Sequence, residues 1–309
     1  MRRWFVAAST AAGVAAFSYS IWTLGLAHIR EGVVRLGWGF GVVLVLSGLR
    51  EVARATAWAR TLRATDRVPL VEALRARLVG EALNTLLPMG FLVGEPVKAQ
   101  QIADRLPFAT ALGTLMIELA FYAASLVLLF GTAALIVLPP AVALGIVILV
   151  AAAVATLKRA WHAAEPLRRF AIAQPRRATT IFALEASYHA LGIIETYVVL
   201  SCIAPAGAAW TSAVLLETMN RGVTMAFKML PMRVGVDEAA AAFVTDRLSL
   251  GSATGVLLAV VRKLRMLFWA AVGLAFMRVR TGKQHERVHA VAVEPSMQTI
   301  PGNAEIHLV

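Results

Sequence analysis

Two short segments place helix-breaking residues and a carboxylate inside otherwise apolar sequence. They are residues 86–98 (LLPMGFLVGEPVK) and residues 229–238 (MLPMRVGVDE), and their carboxylates of interest are Glu95 and Glu238. We predict that a short helix begins at Glu95-Pro96 after the first break and that Glu238 lies at the start of a second short helix, where an acid would accept hydrogen bonds from the free backbone N–H groups. A carboxylate held at membrane depth could instead exchange a proton or pair with a cationic headgroup. Both roles stay open for Glu95 and Glu238, and one residue can fill both.

Four cations surround these two breaks in the sequence, namely Lys98, Arg221, Lys228 and Arg233. Together with the N–H groups of the glycine-containing loops and two helix N-termini, they would suit a phosphate group. The alternative is that a cation such as Arg233 lies near a membrane boundary and extends its side chain to the interface. The candidate substrate-binding residues are Asn84, Gly94, Glu95, Lys98, Arg221, Lys228, Arg233, Gly235 and Glu238.

Ionisable residues also occur inside two long apolar stretches, Glu118 in one and Arg262 in the other. A charge at the bilayer centre costs about 2.5–3.5 kcal/mol on insertion scales, so we expect each of them to have a partner. Glu118 follows Glu95 by 23 residues and Arg262 follows Glu238 by 24, which makes their positions nearly equivalent. We predict an intramembrane ion pair between Glu118 and Arg262, which either clamps two halves of the protein together or gates a path between them.

Metal binding and catalysis find little support in the sequence. Glu185 and His189 are four residues apart and share a helix face, but no third ligand lies near them in sequence, so we expect a buried hydrogen-bonded pair and no metal. The chain has no convincing nucleophile with a base, no P-loop and no dinucleotide fingerprint. We therefore expect no catalytic residue, no cofactor and no enzymatic activity.

The two breaks belong to a longer internal repeat. The tripeptide Leu-Pro-Met recurs after 143 residues and Asp-Arg-Leu recurs after 142, with an asparagine upstream of each break at Asn84 and Asn220. Three ordered matches at nearly constant offset indicate duplication. A helix, a break and a short helix returning to the same side form a re-entrant pair, which survives at membrane depth only when protein encloses it or it lines a wet cavity.

Composition identifies the class of protein. The 309 residues are 59% hydrophobic, with a mean hydropathy of +0.72, whereas ordinary soluble domains carry about 45–50% apolar residues. The net charge of +12 comes from basic residues between apolar segments, where they set topology and contact anionic lipids. We expect no nucleic-acid partner. Cys202 is the single cysteine, so no intramolecular disulfide forms.

The predicted fold is all-α, a polytopic membrane helix bundle with two re-entrant pairs, residues 68–106 and 210–250. Six spanning helices are expected at about residues 4–27, 36–49, 110–130, 133–157, 179–203 and 252–277. The second span should continue as a basic cytoplasmic helix that carries Arg50 and Arg54. Residues 1–280 form one transmembrane domain, with repeat halves at about 68–157 and 209–277, and residues 281–309 form a disordered cytoplasmic tail.

Charge places both termini in the cytoplasm, because the strongly basic loops then lie inside. Three crossings separate the two re-entrant pairs, so one enters from each side and the repeat is inverted. Transporter folds commonly use inverted repeats with discontinuous helices that meet near the midplane.

The two breaks resemble motifs of the transmembrane domain of lysylphosphatidylglycerol synthases and related flippase-like membrane proteins, over roughly residues 5–280. The matching positions are Asn84, Pro88, Gly94, Glu95 and Lys98, then Pro231, Gly235, Glu238 and Arg262. Some members of that family move an aminoacylated phospholipid across the membrane, and others accompany hopanoid or polyprenyl-glycolipid pathways. The resemblance implies lipid handling here. The chain as given ends soon after its last span, so we expect no aminoacyl-transfer domain, and synthesis would need a separate lipid-synthesis enzyme as partner.

The leading hypothesis is a protein of the bacterial inner membrane that binds and translocates a lipid, with an anionic or phosphate-bearing headgroup between the halves. The lipid would be a phospholipid, a hopanoid or a polyprenyl-linked lipid. A second hypothesis is a non-transporting accessory to a lipid-modifying or glycosyl transferase. A third is an ion or small-solute transporter.

Overall fold

The computed structural model describes residues 34, 36–62, 68–139, 165–204, 206, 208–233 and 235–277. These residues form nine α-helices and no strand, which confirms the predicted all-α class. The helices are α1 Gly39–Thr61, α2 Leu70–Leu86, α3 Phe91–Gln101, α4 Phe108–Val137, α5 Glu165–Ala173, α6 Pro175–Ile203, α7 Trp210–Ala226, α8 Val236–Arg247 and α9 Ser252–Ala275. The predicted first span, most of the fourth and the tail lie outside the described residues.

A sequence of three helices occurs twice. In the first copy, α2, α3 and α4 have 17, 11 and 30 residues. In the second copy, α7, α8 and α9 have 17, 12 and 24 residues. Each break between the first two helices holds a methionine in the left-handed region, Met89 at φ 50° and Met232 at φ 47°. The order and lengths of the helices match the predicted duplication, while opposite orientation of the two copies across a membrane stays a prediction.

The starts of the two short helices differ from each other. We predicted that the first would begin at Glu95-Pro96, and this is wrong, because α3 begins at Phe91 and includes Pro96. Gly90 already has helical backbone (φ −54°, ψ −25°), so the helix starts a turn earlier, and the proline removes one hydrogen bond near its N-terminus. In the second copy Gly235 caps α8 at φ 84°, and Glu238 lies in the first turn as expected.

The two copies pack crosswise around α1 and α6, which run alongside each other. Helix α2 packs against α9 of the other copy, and α7 packs against α4. A Cβ on Gly273 of α9 would lie 2.2 Å from the carbonyl oxygen of Leu78 on α2. Only glycine therefore permits this close crossing of helices from the two copies.

The two breaks contact each other. The backbone N–H of Met89 donates a hydrogen bond to the carbonyl oxygen of Met229 at 3.1 Å. The Lys228 ammonium lies 4.9 Å from the ring centroid of Phe91. Met232 is buried in a cluster with Leu86 and Leu264, so side chains from both copies close around this junction.

Two described helices are long and apolar enough to cross a membrane, Phe108–Val137 and Pro175–Ile203. They correspond to the spans predicted at 110–130 and 179–203. Helix α1 begins at Gly39, covers the rest of the span predicted at 36–49 and continues without a break to Thr61. The predicted start of the fourth span at residue 133 is wrong, because α4 runs on to Val137. Helix α9 covers most of the predicted last span, residues 252–277, and its crossing of a membrane stays a prediction.

Candidate functional site

A cavity of about 230 Å³ lies between α1, α2, α7 and α9, beside the junction of the two breaks. Three acidic side chains line it, those of Glu51, Glu81 and Glu95. Seven basic side chains also line it, those of Arg50, Arg54, Arg221, Lys228, Arg233, Arg262 and Arg265. This predominance of positive charge distinguishes the cavity from an ordinary membrane-protein interior, where charges are few and paired.

Two of these cations come from α1. Arg50 and Arg54 are one turn apart on the same helix face, and they are 3% and 8% exposed. The predicted continuation of this helix past residue 49 is confirmed, but both side chains are buried in the bundle, and the cytoplasmic side stays a prediction. The physical reason is that each guanidinium finds buried carboxylates on other helices, so it stays inside the bundle.

One set of these cations forms what we call the base-rich network, which consists of Arg50, Arg221, Arg262 and Arg265 with Glu195 and Glu217. Arg50 contacts Glu195 at 2.8 Å and Glu217 at 3.3 Å. Glu217 also contacts Arg221 at 2.5 Å and Arg262 at 3.5 Å, and Arg265 pairs with Glu195. All four arginines line the cavity. Four cations against two carboxylates leave an excess of two positive charges beside it.

A second set forms the acid-rich network, which consists of Arg54, Arg77 and Lys98 with Glu51, Glu81, Glu95, Glu118 and Glu185. Arg54 contacts Glu118 at 2.7 Å and Glu185 at 3.2 Å. Arg77 joins Glu118 at 3.6 Å to Glu51 at 2.8 Å and Glu81 at 3.3 Å. Lys98 contacts Glu81 and Glu95, both at 2.7 Å. Three cations against five carboxylates leave an excess of two negative charges.

Tyr188 lies between the two networks. Its ring centroid is 4.4 Å from the guanidinium carbon of Arg50, 4.9 Å from that of Arg221 and 5.4 Å from that of Arg54. Its hydroxyl oxygen accepts a hydrogen bond from Arg221 Nη1 at 2.9 Å. Tyr122 similarly lies 4.3 Å from the Arg54 guanidinium. The electron-rich ring faces stabilise these buried cations where no further carboxylate is available.

The predicted ion pair between Glu118 and Arg262 is wrong. Glu118 takes its partners from α1 and α2, and Arg262 takes Glu217 from α7. Arg262 lines the cavity, and Glu118 is not among the lining residues. The near-equivalence of the two positions in the repeat therefore does not bring the side chains together.

The candidate residues of the first break divide into two groups. Asn84 and Glu95 line the cavity, and Asn84 Nδ2 donates to the Glu95 carboxylate at 3.2 Å. Lys98 is buried and paired, and it does not line the cavity. A Cβ on Gly94 would lie 2.3 Å from Asn84 Oδ1 and 2.5 Å from the Gly80 carbonyl oxygen, so Gly94 serves the close packing of α3 on α2.

The candidate residues of the second break divide in the same way. Arg221, Lys228 and Arg233 line the cavity, and Arg233 contacts Asp237 at 3.0 Å. Glu238 accepts a hydrogen bond from the Gly235 N–H at 2.8 Å, which confirms the capping role, and it also pairs with Lys263. Neither Gly235 nor Glu238 is among the residues that line the cavity.

The expected hydrogen bond between Glu185 and His189 is absent. Both side chains are buried, and neither imidazole nitrogen has a hydrogen-bond partner among the described residues. The His189 ring instead packs against the Tyr122 ring, with centroids 5.2 Å apart. Among the described residues, no group of three or more His, Cys, Asp or Glu side chains could hold a metal ion.

Several lining residues had no site role predicted from the sequence, including Arg50, Arg54, Glu51, Glu81, Tyr188 and Arg265. One signal was present, because Arg50 and Arg54 share a helix face at a spacing of four residues, directly after an apolar segment of the same helix. The others depend on partners far away in sequence. Glu195, for example, is 145 residues from Arg50.

This arrangement can hold an anion. The base-rich arginines are fixed by their carboxylates, so their remaining N–H donors are positioned before any ligand arrives. Guanidinium groups match the geometry of phosphate or carboxylate oxygens, and each such charge-assisted bond is about twice as strong as a neutral one.

Comparison with known proteins supplies one match. A family model described as "Lysylphosphatidylglycerol synthase TM region" matches residues 4–274, which is most of the chain. No curated protein and no solved structure matches the chain.

Proposed function

Since the chain belongs to the family of the lysylphosphatidylglycerol synthase TM region, we propose that it binds the phosphate-bearing headgroup of a membrane lipid and moves that lipid between leaflets. The family name and the apolar helices make it a membrane protein. The proposal includes a bacterial inner membrane, both termini in the cytoplasm, no catalytic step and no cofactor.

The observation that carries this proposal is the excess of two positive charges on the cavity wall. Arg50, Arg221, Arg262 and Arg265 all face the same space and share only two carboxylates. A net charge buried in a protein costs free energy unless a counter-ion balances it. An anionic headgroup is the counter-ion that a membrane supplies in quantity.

The surroundings of the cavity suit the rest of a lipid. Met225 and Leu230 line the cavity and are also well exposed, as is Lys228 between them in sequence. Apolar side chains with a cation among them fit the boundary between a headgroup and its acyl chains. We propose that the chains stay in the bilayer while the headgroup occupies the cavity.

The test uses purified protein in vesicles that contain a fluorescent anionic phospholipid or its zwitterionic counterpart. We expect faster exchange of the anionic lipid between leaflets than in protein-free vesicles, and slower exchange for Arg221→Gln and Lys228→Gln. The matched control is Arg247→Gln, since Arg247 is exposed, lies over the ring of Phe243 as Lys228 lies over that of Phe91, and does not line the cavity.

Each other outcome points to a different function. Tight binding of the anionic lipid without exchange would favour the accessory to a lipid-modifying or glycosyl transferase. Uptake of a small solute that does not depend on the lipid headgroup would favour a solute transporter. Equal exchange by wild type and both variants would overturn the role of the cavity.

A further inference from the structure

Two carboxylates from different helices share one guanidinium behind the cavity wall. Arg54 Nη2 lies 2.7 Å from Glu118 Oε1 on α4, and Arg54 Nε lies 3.2 Å from Glu185 Oε2 on α6. Both carboxylates also lie against the same nitrogen of that guanidinium, since Glu118 Oε1 is 2.9 Å and Glu185 Oε2 is 3.2 Å from Arg54 Nε. They are 2% and 0% exposed, so water cannot separate their charges.

Glu185 lacks the partners that a buried carboxylate requires. Neither of its oxygens has a hydrogen-bond donor among the described residues. Glu118 has a second cation, since Arg77 Nη1 is 3.6 Å away, but Arg77 also contacts Glu51 and Glu81. Buried carboxylates normally satisfy every oxygen, so Glu185 needs a donor that no neighbouring side chain gives it.

The immediate neighbours supply little more positive charge. Helices α1 and α2 contribute Arg54 and Arg77, and α4 contributes Tyr122. Helix α6 contributes Tyr188 and His189, which pack edge to face at 5.3 Å. The phenols are neutral donors, and both nitrogens of His189 are without a partner among the described residues.

More distant charged groups are already committed to one another. From α7, Glu217 pairs with Arg221 and with Arg50 of α1. From α9, Arg265 pairs with Glu195 of α6. From α3, Lys98 pairs with Glu81 and Glu95. Helix α5 packs an aromatic ring, that of Phe170, against Phe121 of α4.

The charge balance of the acid-rich network also indicates that Glu118 and Glu185 need additional positive charge. Its five carboxylates exceed its three cations by two, and Glu118 and Glu185 are the most buried of those carboxylates. Two buried carboxylates that share one guanidinium repel each other strongly when both are ionised, and one proton bound between them removes most of that repulsion. That proton also gives a Glu185 oxygen the hydrogen bond it lacks.

A proton fits this site better than a metal ion. Neither Glu118 nor Glu185 is among the residues that line the cavity, and no metal-holding group of three acidic, His or Cys side chains occurs in the described ranges. A metal ion would need several oxygen ligands and space for them. A proton needs neither.

We propose that Glu118 and Glu185 bind one exchangeable proton between them, and that this proton and the anion in the cavity favour each other's binding through Arg54. Arg54 contacts both carboxylates and also lines the cavity. When the pair holds a proton, it carries one negative charge instead of two. The positive charge of Arg54 is then less neutralised and attracts an anion in the cavity more strongly. By thermodynamic reciprocity, an anion in the cavity then strengthens proton binding equally. This second part rests on the proposed function.

The direct test is infrared difference spectroscopy of the purified protein, titrated in pH, which reports the C=O stretch of protonated carboxyl groups. We expect a band that persists at neutral pH in wild type and is lost in Glu185→Gln and Glu118→Gln. The control is Glu72→Gln, whose carboxylate is exposed and pairs with Arg105 at 2.5 Å. Absence of the band in wild type would overturn the proposal without any variant, as would its persistence in both folded variants.

The coupling is tested separately by binding of an anionic phospholipid to the protein at several pH values. We expect affinity to fall by about tenfold, roughly 1.4 kcal/mol, as the infrared band disappears with rising pH, and to become independent of pH in Glu185→Gln. An infrared band with pH-independent lipid binding would overturn the coupling alone. A band with no lipid binding at any pH would leave the proton site standing and overturn the proposed function.

Discussion

The backbone N–H of Met89 and the carbonyl oxygen of Met229 form a hydrogen bond of 3.1 Å, and this bond joins the two helix breaks directly. Met89 lies just before α3, and Met229 lies before α8, so the bond connects the chain segments that lead into the two short helices. The cavity lies beside this junction, since Leu230 of the second break lines it. The junction is therefore a place where relative movement of the copies can be measured.

A cysteine pair tests whether the junction moves. Residues joined by one backbone hydrogen bond have Cα atoms on the order of 5 Å apart, which a disulfide can span. We expect Met89→Cys with Met229→Cys, in a Cys202→Ala background, to form an intramolecular disulfide under mild oxidation. Lipid exchange should stop on oxidation and return on reduction. The two single-cysteine proteins are the controls, and full exchange by the oxidised protein would show that the junction stays fixed.

Gly273 sets the distance between α9 and α2. A Cβ there would lie 2.2 Å from the Leu78 carbonyl oxygen, so Gly273→Ala should destabilise the protein by about 1–3 kcal/mol through overpacking. Gly113→Ala is the matched control, because nothing lies within 4 Å of its added Cβ and alanine favours helix. Thermal unfolding in detergent gives both values. Equal midpoints for the two variants would contradict the close crossing.

Glu238 is expected to affect stability and not ligand binding. Lys263 is fully buried and pairs with Glu238, which lies outside the cavity lining. Glu238→Gln retains a side chain able to cap α8 but leaves the Lys263 charge without its carboxylate. Breaking such a pair costs about 3–5 kcal/mol, so the unfolding temperature should fall while lipid affinity stays unchanged.

The double variant Glu238→Gln with Lys263→Met is the control for this interpretation. Removing both charges eliminates the uncompensated ammonium, so most of the lost stability should return. A fall in lipid affinity at unchanged stability in Glu238→Gln would instead support the hypothesis that Glu238 meets the headgroup.

Substitutions of Arg221 and of Lys98 should affect different quantities, lipid affinity for Arg221 and stability for Lys98. Arg221→Lys keeps the charge at the cavity but removes the planar donor geometry, so we expect binding of an anionic phospholipid to weaken by about tenfold, roughly 1.4 kcal/mol. Lys98→Met should lower stability without a comparable loss of affinity, because Lys98 is buried, does not itself line the cavity and pairs with the carboxylates of Glu81 and Glu95. Calorimetric titration and thermal unfolding of the same preparations give the two quantities. The reverse pattern would contradict the assignment of these cations.

The helix boundaries were predictable wherever local chemistry decides them. Helix α2 ends at Leu86, just before Pro88, and Gly235 caps α8. The residue type decides the backbone geometry at both places, because proline disrupts a helix and glycine readily adopts a positive φ. The internal repeat predicted that two helix breaks exist, and the observed helix order follows it. The start of α3 was missed because a proline near a helix N-terminus is compatible with more than one starting residue.

The charge partners were not predictable for a different reason. Arg54 and Glu118 are 64 residues apart, and Arg50 and Glu217 are 167 apart. Their pairing depends on how α1 packs against helices of both copies, and α1 has no counterpart in the repeat that was used to predict contacts. The repeat places Glu118 and Arg262 at near-equivalent positions, but α1 and α7 supply the groups that these side chains contact.

The opposite charge excesses on the two sides of Tyr188 give the interior of the bundle an electric dipole. A charge that crosses a membrane at a potential of 100 mV changes its energy by about 2.3 kcal/mol. Any rearrangement that shifts one network relative to the other along the membrane normal therefore carries a gating charge. If the proposed translocation moves the networks in this way, the balance between the protein's conformations depends on the voltage across the membrane as well as on the ligand.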